Sequence, residues 1–185
     1  MIIEKNDPRV LDISTELLES GHAVIAPCDT IYGLLGKVPD ADDVIRQIKG
    51  RGETKPFLQL ILPEWINDLT PQRLDERLLS YWPGPLTLVV KNRQGGTTAY
   101  RAPDDPFLIS LLTRVGTPLY STSVNHAGSP PLNDIEVIIH EFDASVPMII
   151  NGGDLPEAIP STLLDVTTNE WNVLRQGALR VPLRE

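Results

Sequence analysis

Four short stretches of the chain bring together side chains able to do chemistry. The first, Ile25-Ala26-Pro27-Cys28-Asp29-Thr30-Ile31-Tyr32-Gly33-Leu34, leaves an apolar run and at once presents a thiol, a carboxylate and a hydroxyl. Ligands of open α/β sheets sit at strand ends, which suits this stretch to binding. It suits equally an Asp-Thr turn that satisfies its own backbone. A nucleophilic Cys28 would need a base, and no spacing pairs it with His22, His126 or His140. A free buried cysteine is an ordinary core residue.

The second stretch, Ile48-Lys49-Gly50-Arg51-Gly52-Glu53-Thr54-Lys55, sets three cations within seven residues. The helix macrodipole accounts for Lys49 at a C-terminus, but not for Arg51 and Lys55 beyond the glycine. Cations on a glycine-bearing loop suit an anionic ligand such as a nucleotide triphosphate or a carboxylate, Arg as a fork and Lys as a point charge. No Walker-type glycine loop and no dinucleotide fingerprint occurs in the chain. The third stretch, Tyr120-Ser121-Thr122-Ser123-Val124-Asn125-His126, and the fourth, Ile159-Pro160-Ser161-Thr162-Leu163-Leu164-Asp165, run small polar groups along strands or into turns. Such groups hydrogen-bond a ligand without filling its space, or build the turn itself. Trp82-Pro83-Gly84-Pro85-Leu86-Thr87 reads as structural, a fixed bend beside a buried indole.

The elements that must hold these groups follow from periodicity. Helices are expected from about Pro8 to Ser20 with Asp7 as cap, from Asp40 as cap through Ala41, Val44, Ile45 and Ile48 to Gly50, and from Pro71 through Leu74, Leu78 and Leu79. Two more run from Asp105-Pro106 to Gly116 and from about Asp134 to Phe142. Strands are expected at Ala23 to Ala26, Phe57 to Leu62, Leu86 to Val90, Leu119 to Thr122, Met148 to Ile150, Thr162 to Val166 and Trp171 to Arg175, with Lys91 to Thr98 a loop. Interleaved elements that close on two successive strands predict an α/β (α+β mixed) domain, a twisted mixed parallel/antiparallel sheet flanked by helices. Residues 1–185 are expected to form a single domain.

Composition bounds the function. The 185 residues are 41% hydrophobic and 22% charged, enough chain to bury a core and unlike collagen, coiled coil or disorder. With 16 Lys+Arg against 25 Asp+Glu the formal net charge is -9, which disfavours affinity for bulk nucleic acid. One cysteine forms no intrachain disulfide, no basic-then-apolar leader opens the chain, and no apolar run approaches the roughly 20 residues of a membrane span, so a soluble, reducing, cytoplasmic setting is expected. Seventeen prolines beside 13 glycines mark many sharp turns between short elements.

At these same residues the sequence resembles the YrdC/YciO family, whose best-known members are the threonylcarbamoyl-adenylate synthases of tRNA modification. Pro27-Cys28-Asp29-Thr30-Ile31-Tyr32-Gly33-Leu34 resembles the family's Pro-Thr-Asp-Thr-Val-Tyr-Gly-Leu turn, and Lys49-Gly50-Arg51 its Lys-x-Arg element. Trp82-Pro83-Gly84-Pro85-Leu86-Thr87 is identical to the usual family string. Tyr100-Arg101-Ala102-Pro103 resembles the Arg-x-Pro element, Ser123-Val124-Asn125 with Gly128 the Ser-x-Asn element, Pro160-Ser161-Thr162 with Asp165 the Pro-Ser-Thr-x-x-Asp strand, and Leu174-Arg175-Gln176-Gly177 the terminal Leu-Arg-x-Gly.

The resemblance implies a YrdC-like fold and condensation of L-threonine, bicarbonate and ATP to threonylcarbamoyl-AMP and pyrophosphate, with Mg²⁺ on the triphosphate and no tightly bound cofactor. It implies that Lys49, Arg51, Ser123 and Asn125 line the nucleotide end with Arg101, Ser161 and Arg175 nearby, that Lys49 and Arg51 neutralise the leaving pyrophosphate, and that Thr30 and Ser161 serve threonine. A downstream tRNA threonylcarbamoyl transferase would take the product. Departures are Cys28 for the usual threonine or serine, Val124 for alanine and Gly52 for proline. The chain ends at Glu185, so the short form without the C-terminal domain of longer members is expected. The alternatives are a YciO-type paralogue, or a double-stranded RNA, tRNA or nucleotide binder without synthase activity; the charge argues for weak or no direct RNA binding.

Overall fold

A computed structural model describes residues 1–50 and 56–182. The described residues form one ten-stranded mixed sheet. In chain order the strands are β1 (Ile2–Glu4), β2 (Ala23–Pro27), β3 (Tyr32–Lys37), β4 (Leu58–Leu60), β5 (Leu86–Lys91), β6 (Thr97–Arg101), β7 (Leu119–Ser123), β8 (Met148–Asn151), β9 (Thr162–Asp165) and β10 (Asn172–Arg175). Across the sheet they lie β1-β8-β2-β3-β7-β4-β6-β5-β9-β10. β1, β8 and β2 run parallel, as do β4 with β6 and β5 with β9. β3 is antiparallel to both β2 and β7, and β10 to β9. The expected α/β architecture with a mixed sheet is what the chain adopts.

Among the described residues six α-helices form: α1 (Val10–Glu19), α2 (Asp42–Lys49), α3 (Ile66–Leu69), α4 (Glu76–Leu79), α5 (Pro106–Val115) and α6 (Ile135–Phe142). Caps explain their limits. Asp105 accepts from Leu108 N, Pro106 opens α5, and Gly116 closes it at φ +69. Asp134 accepts from Val137 N in the same way. Two expected caps do not form. Ala41, without a capping side chain, precedes α2 in place of Asp40, and Asp7 accepts from Arg9 N in a turn ahead of α1. The helix expected from Pro71 is one turn, Glu76–Leu79, because Asp75 caps it there by accepting from Arg77 N.

Alternation along the strands assigns the faces. Val24 and Ala26 of β2 pack with α1 and α5, while Ala23 and Ile25 of the same strand pack with α2 and α6. In the other half of the sheet, Leu86, Leu88 and Val90 of β5, Tyr100 of β6 and Leu164 of β9 pack with Ile66 of α3 and Leu78 of α4. The alternate residues of these strands, Thr87 and Val89, Ala99 and Arg101, and Leu163, line a cavity. That cavity is the setting of the site.

Candidate functional site

The cavity holds about 510 Å³. Thr30 and Cys28 come to it from the turn between β2 and β3, Arg101 from the end of β6, Ser121 and Ser123 from β7, Ser161 from the start of β9 and Arg175 from β10. Five residues expected in the site from sequence, Thr30, Arg101, Ser123, Ser161 and Arg175, therefore meet around one space.

Two guanidinium groups set its charge. Arg101 is 2% exposed and its Nη1 donates to Asp29 Oδ1 at 2.5 Å, while Asp29 Oδ2 accepts from Asp104 N at 3.1 Å. Among the described residues its buried Nε has no hydrogen-bond partner. A buried donor left unpaired is costly, and this one belongs to a side chain that also lines the cavity. Arg175 donates from Nε and Nη2 to Ser161 O at 3.1 and 2.9 Å, and from Nη2 to Ser161 Oγ at 3.3 Å. Loss of solvent, and then the charge of Arg101, push the Arg175 pKa down. An anion between the two would oppose the second of these.

Lys49 turns toward protein oxygens behind the wall. Its side chain is buried, and Nζ donates to Ser123 O at 2.6 Å, Asn125 O at 3.0 Å and Asn125 Oδ1 at 2.8 Å. Ser123 Oγ also donates to Asn125 Oδ1 at 2.6 Å, and Asn125 Nδ2 donates to His126 O and Ser129 O. Lys49 and Asn125 are not among the lining residues; they form the layer that holds Ser123 in the wall. Arg51 and Lys55 lie outside the described residues.

Cys28 is settled by its surroundings. Its Sγ reaches Ala26 O at 3.8 Å and burial pushes the thiol up to about 12, so it stays protonated and unreactive near neutral pH. Gly33 leaves room for its neighbours, since a Cβ there would stand 2.9 Å from Cys28 Sγ and 3.3 Å from Ser121 Oγ and displace them. Tyr32 pins the outer wall: its hydroxyl donates to Gly153 O at 2.8 Å and accepts from Gly152 N at 3.0 Å, and its own N donates to Asn133 Oδ1.

Sequence reasoning missed one pairing and three lining residues. The Asp29–Arg101 pair spans 72 positions and leaves no local signal. Thr87 Oγ1 lies 2.7 Å from Ser161 Oγ, though the Trp82-Pro83-Gly84-Pro85 bend reads as purely structural. Thr97 and Thr98 line the cavity from β6, in a stretch expected to be loop.

A family model described as Sua5_yciO_yrdC, telomere recombination, matches residues 16–177. The chain belongs to this Sua5/YciO/YrdC family. It is 28% identical to the threonylcarbamoyl-AMP synthase of Bacillus subtilis over 96% of this chain and 56% of that protein. It is 30% identical to the threonylcarbamoyl-AMP synthase of Coxiella burnetii over 85% of this chain and 92% of that one. Among solved structures, Sua5 of P. abyssi complexed with L-threonine matches with a TM-score of 0.88 and 26% identity over 97% of this chain and 58% of that one. E. coli YciO matches with 0.83 and 25% over 96% and 94%. The chain thus spans little more than half the length of the Bacillus subtilis and P. abyssi relatives. In the Sua5/YciO/YrdC setting, residues of six of the motifs quoted above line the cavity, and of the seventh the described Lys49 bonds to Ser123 and Asn125.

Proposed function

We propose that this chain, acting as one YrdC-like domain, makes L-threonylcarbamoyl-AMP and pyrophosphate from L-threonine, bicarbonate and ATP, as a nucleotidyl-transfer step in tRNA threonylcarbamoyladenosine synthesis. The observation that carries the reading is the convergence of Arg101 and Arg175 with Thr30, Ser123 and Ser161 on one cavity. Relatives named for that reaction, one of them solved with L-threonine, supply the chemistry.

Three anionic or zwitterionic reactants must meet, and positive charge with fixed donors is what brings them together. The threonine nitrogen forms a bond to the bicarbonate carbon, and water leaves to give the carbamate. A carbamate oxygen then bonds to the α-phosphorus of ATP as the bond to the β-phosphate oxygen breaks. No protein nucleophile is required, in keeping with the protonated Cys28. Arg101 and Arg175 hold anionic groups, Thr30 and Ser161 serve the amino acid, and Lys49 supports Ser123 and Asn125 at the nucleotide end. Arg51 joins Lys49 on motif grounds alone. Mg²⁺ enters with the triphosphate as part of the nucleotide substrate and offsets charge on the leaving pyrophosphate.

The labile adenylate calls for a downstream tRNA threonylcarbamoyl transferase as receiver. The net charge of -9 leaves weak or no direct RNA contact for this chain. Among the described residues no helix is long and apolar enough to cross a membrane, and a cytoplasmic setting is part of the proposal.

Pyrophosphate release from ATP, Mg²⁺ and bicarbonate, measured with and without threonine, tests it; release must depend on threonine. A second reading, a YciO-type paralogue without synthase activity, is favoured by the near full-length match to E. coli YciO. It predicts nucleotide binding without threonine-dependent release.

A further inference from the structure

The strand that delivers Arg175 is a poor platform by itself. β10 lies at the sheet edge, has only four residues, and all four are exposed. Its ladder with β9 slips after Val173: Val173 faces Leu164, but Arg175, not Leu174, faces Leu163. The bulge expels Leu174, which is 56% exposed, and turns Arg175 to the cavity face that Leu163 lines. A bulged edge strand this short would fray without an anchor.

The anchor lies one residue beyond the arginine's own acceptor. Thr162 is fully buried, and its Oγ1 accepts from Gly177 N at 3.0 Å and Leu179 N at 3.2 Å while donating to Leu179 O at 2.5 Å. Ala178 N adds a bond to Pro160 O at 3.0 Å. Gly177 sits so close that a Cβ would collide with Pro160 O and the Ser161 carbonyl. One hydroxyl therefore fastens the turn after β10 against the strand whose preceding residue, Ser161, receives the guanidinium.

We propose that Thr162 is a positioning residue for Arg175: its hydroxyl fixes the turn after β10 and thereby the aim of the guanidinium into the cavity. The inference rests on the reading above for its catalytic consequence, but its structural half is independent of that reading. Thr162→Val keeps the shape and removes the hydroxyl, Thr162→Ser restores it, and Gly177→Ala displaces the same turn with the hydroxyl intact.

In ¹⁵N NMR of the full chain, the Arg175 Nε–H signal, sheltered by Ser161 O, should persist in Thr162→Ser and be lost to exchange in Thr162→Val. Gly177→Ala should lose it too, and decides the matter should Thr162→Val not fold. In the pyrophosphate assay, Thr162→Val should raise the KM for ATP about tenfold, while Thr162→Ser stays within about twofold of the parent. In an Arg175→Ala background Thr162→Val should change the KM no further, the mark of two residues acting as one. Retention of the Nε–H signal in the folded Thr162→Val protein, or in Gly177→Ala if Thr162→Val does not fold, overturns the proposal. So does a full, additive KM effect in the Arg175→Ala background. Absence of threonine-dependent release in every protein, parent included, strikes the functional reading alone, and the NMR signal then decides the link.

Discussion

Arg101 Nη1 and Asp29 Oδ1 meet at 2.5 Å, the two side chains 2% and 8% exposed. The pair joins the end of β6 to the turn after β2, and Asp29 also takes the Asp104 N–H. Removing one member of a buried pair strands the other charge. Asp29→Asn should therefore lower unfolding free energy by about 3 kcal/mol, measured by chemical denaturation. A loss near the fraction of a kcal/mol typical of exposed pairs would show that solvent reaches Arg101 after all.

Gly36 governs the approach of α2 to the sheet. A Cβ there would collide with Ala41 Cβ and stand 2.9 Å from Ile45 Cδ1, both at the buried face of the helix. Gly36→Ala should cost about 2 kcal/mol through overpacking. Because Lys49 ends the same helix, the displacement should also loosen its bonds to Ser123 and Asn125. The expected readout is a lowered Tm together with weaker ATP binding by calorimetry; full-strength binding at a lowered Tm would separate the helix from the site.

Much of this was legible beforehand, and the gaps have physical causes. The capped helix from Pro106 to Val115, the apolar β5 and β8, and the Ser-x-Asn and Pro-Ser-Thr elements carry their signals locally. β3 carried none, because it is buried on both sides and its two glycines, Gly33 beneath Cys28 and Gly36 beneath α2, are there for close approach rather than for strand propensity. β6 looked like loop because one of its faces lines the cavity and is polar for that reason. Lys49 reads from its spacing as an ordinary cation at a helix C-terminus, and only the fold shows its Nζ turned toward protein oxygens.

Cys28 offers a test by pH and by reagent. With its thiol pushed up to about 12 from an ordinary value near 9, the native protein keeps the proton where the unfolded chain loses it. Below about pH 9 both states are protonated and the group leaves stability unchanged. Between about 9 and 12 the unfolded chain binds fewer protons, so this group makes stability fall as pH rises. Iodoacetamide at pH 8 should accordingly label the unfolded chain and spare the native one, followed by mass spectrometry. Rapid native labelling would contradict the burial of Sγ.

Two cations sharing one cavity should make the fold respond to anions. Loss of solvent first, and then the charge of Arg101, push the Arg175 pKa down, and an anion between the two cations opposes the second of these. Ligands that bind only the native state raise stability by mass action, about 2.7 kcal/mol at a hundred times Kd. Pyrophosphate should raise the Tm progressively with concentration, and sodium chloride at matched ionic strength should not reproduce the shift. Arg175→Ala deletes a side chain from an exposed edge strand and should leave the ligand-free Tm nearly unchanged while removing most of the pyrophosphate response. A response that survives in Arg175→Ala would place the anion on Arg101 alone.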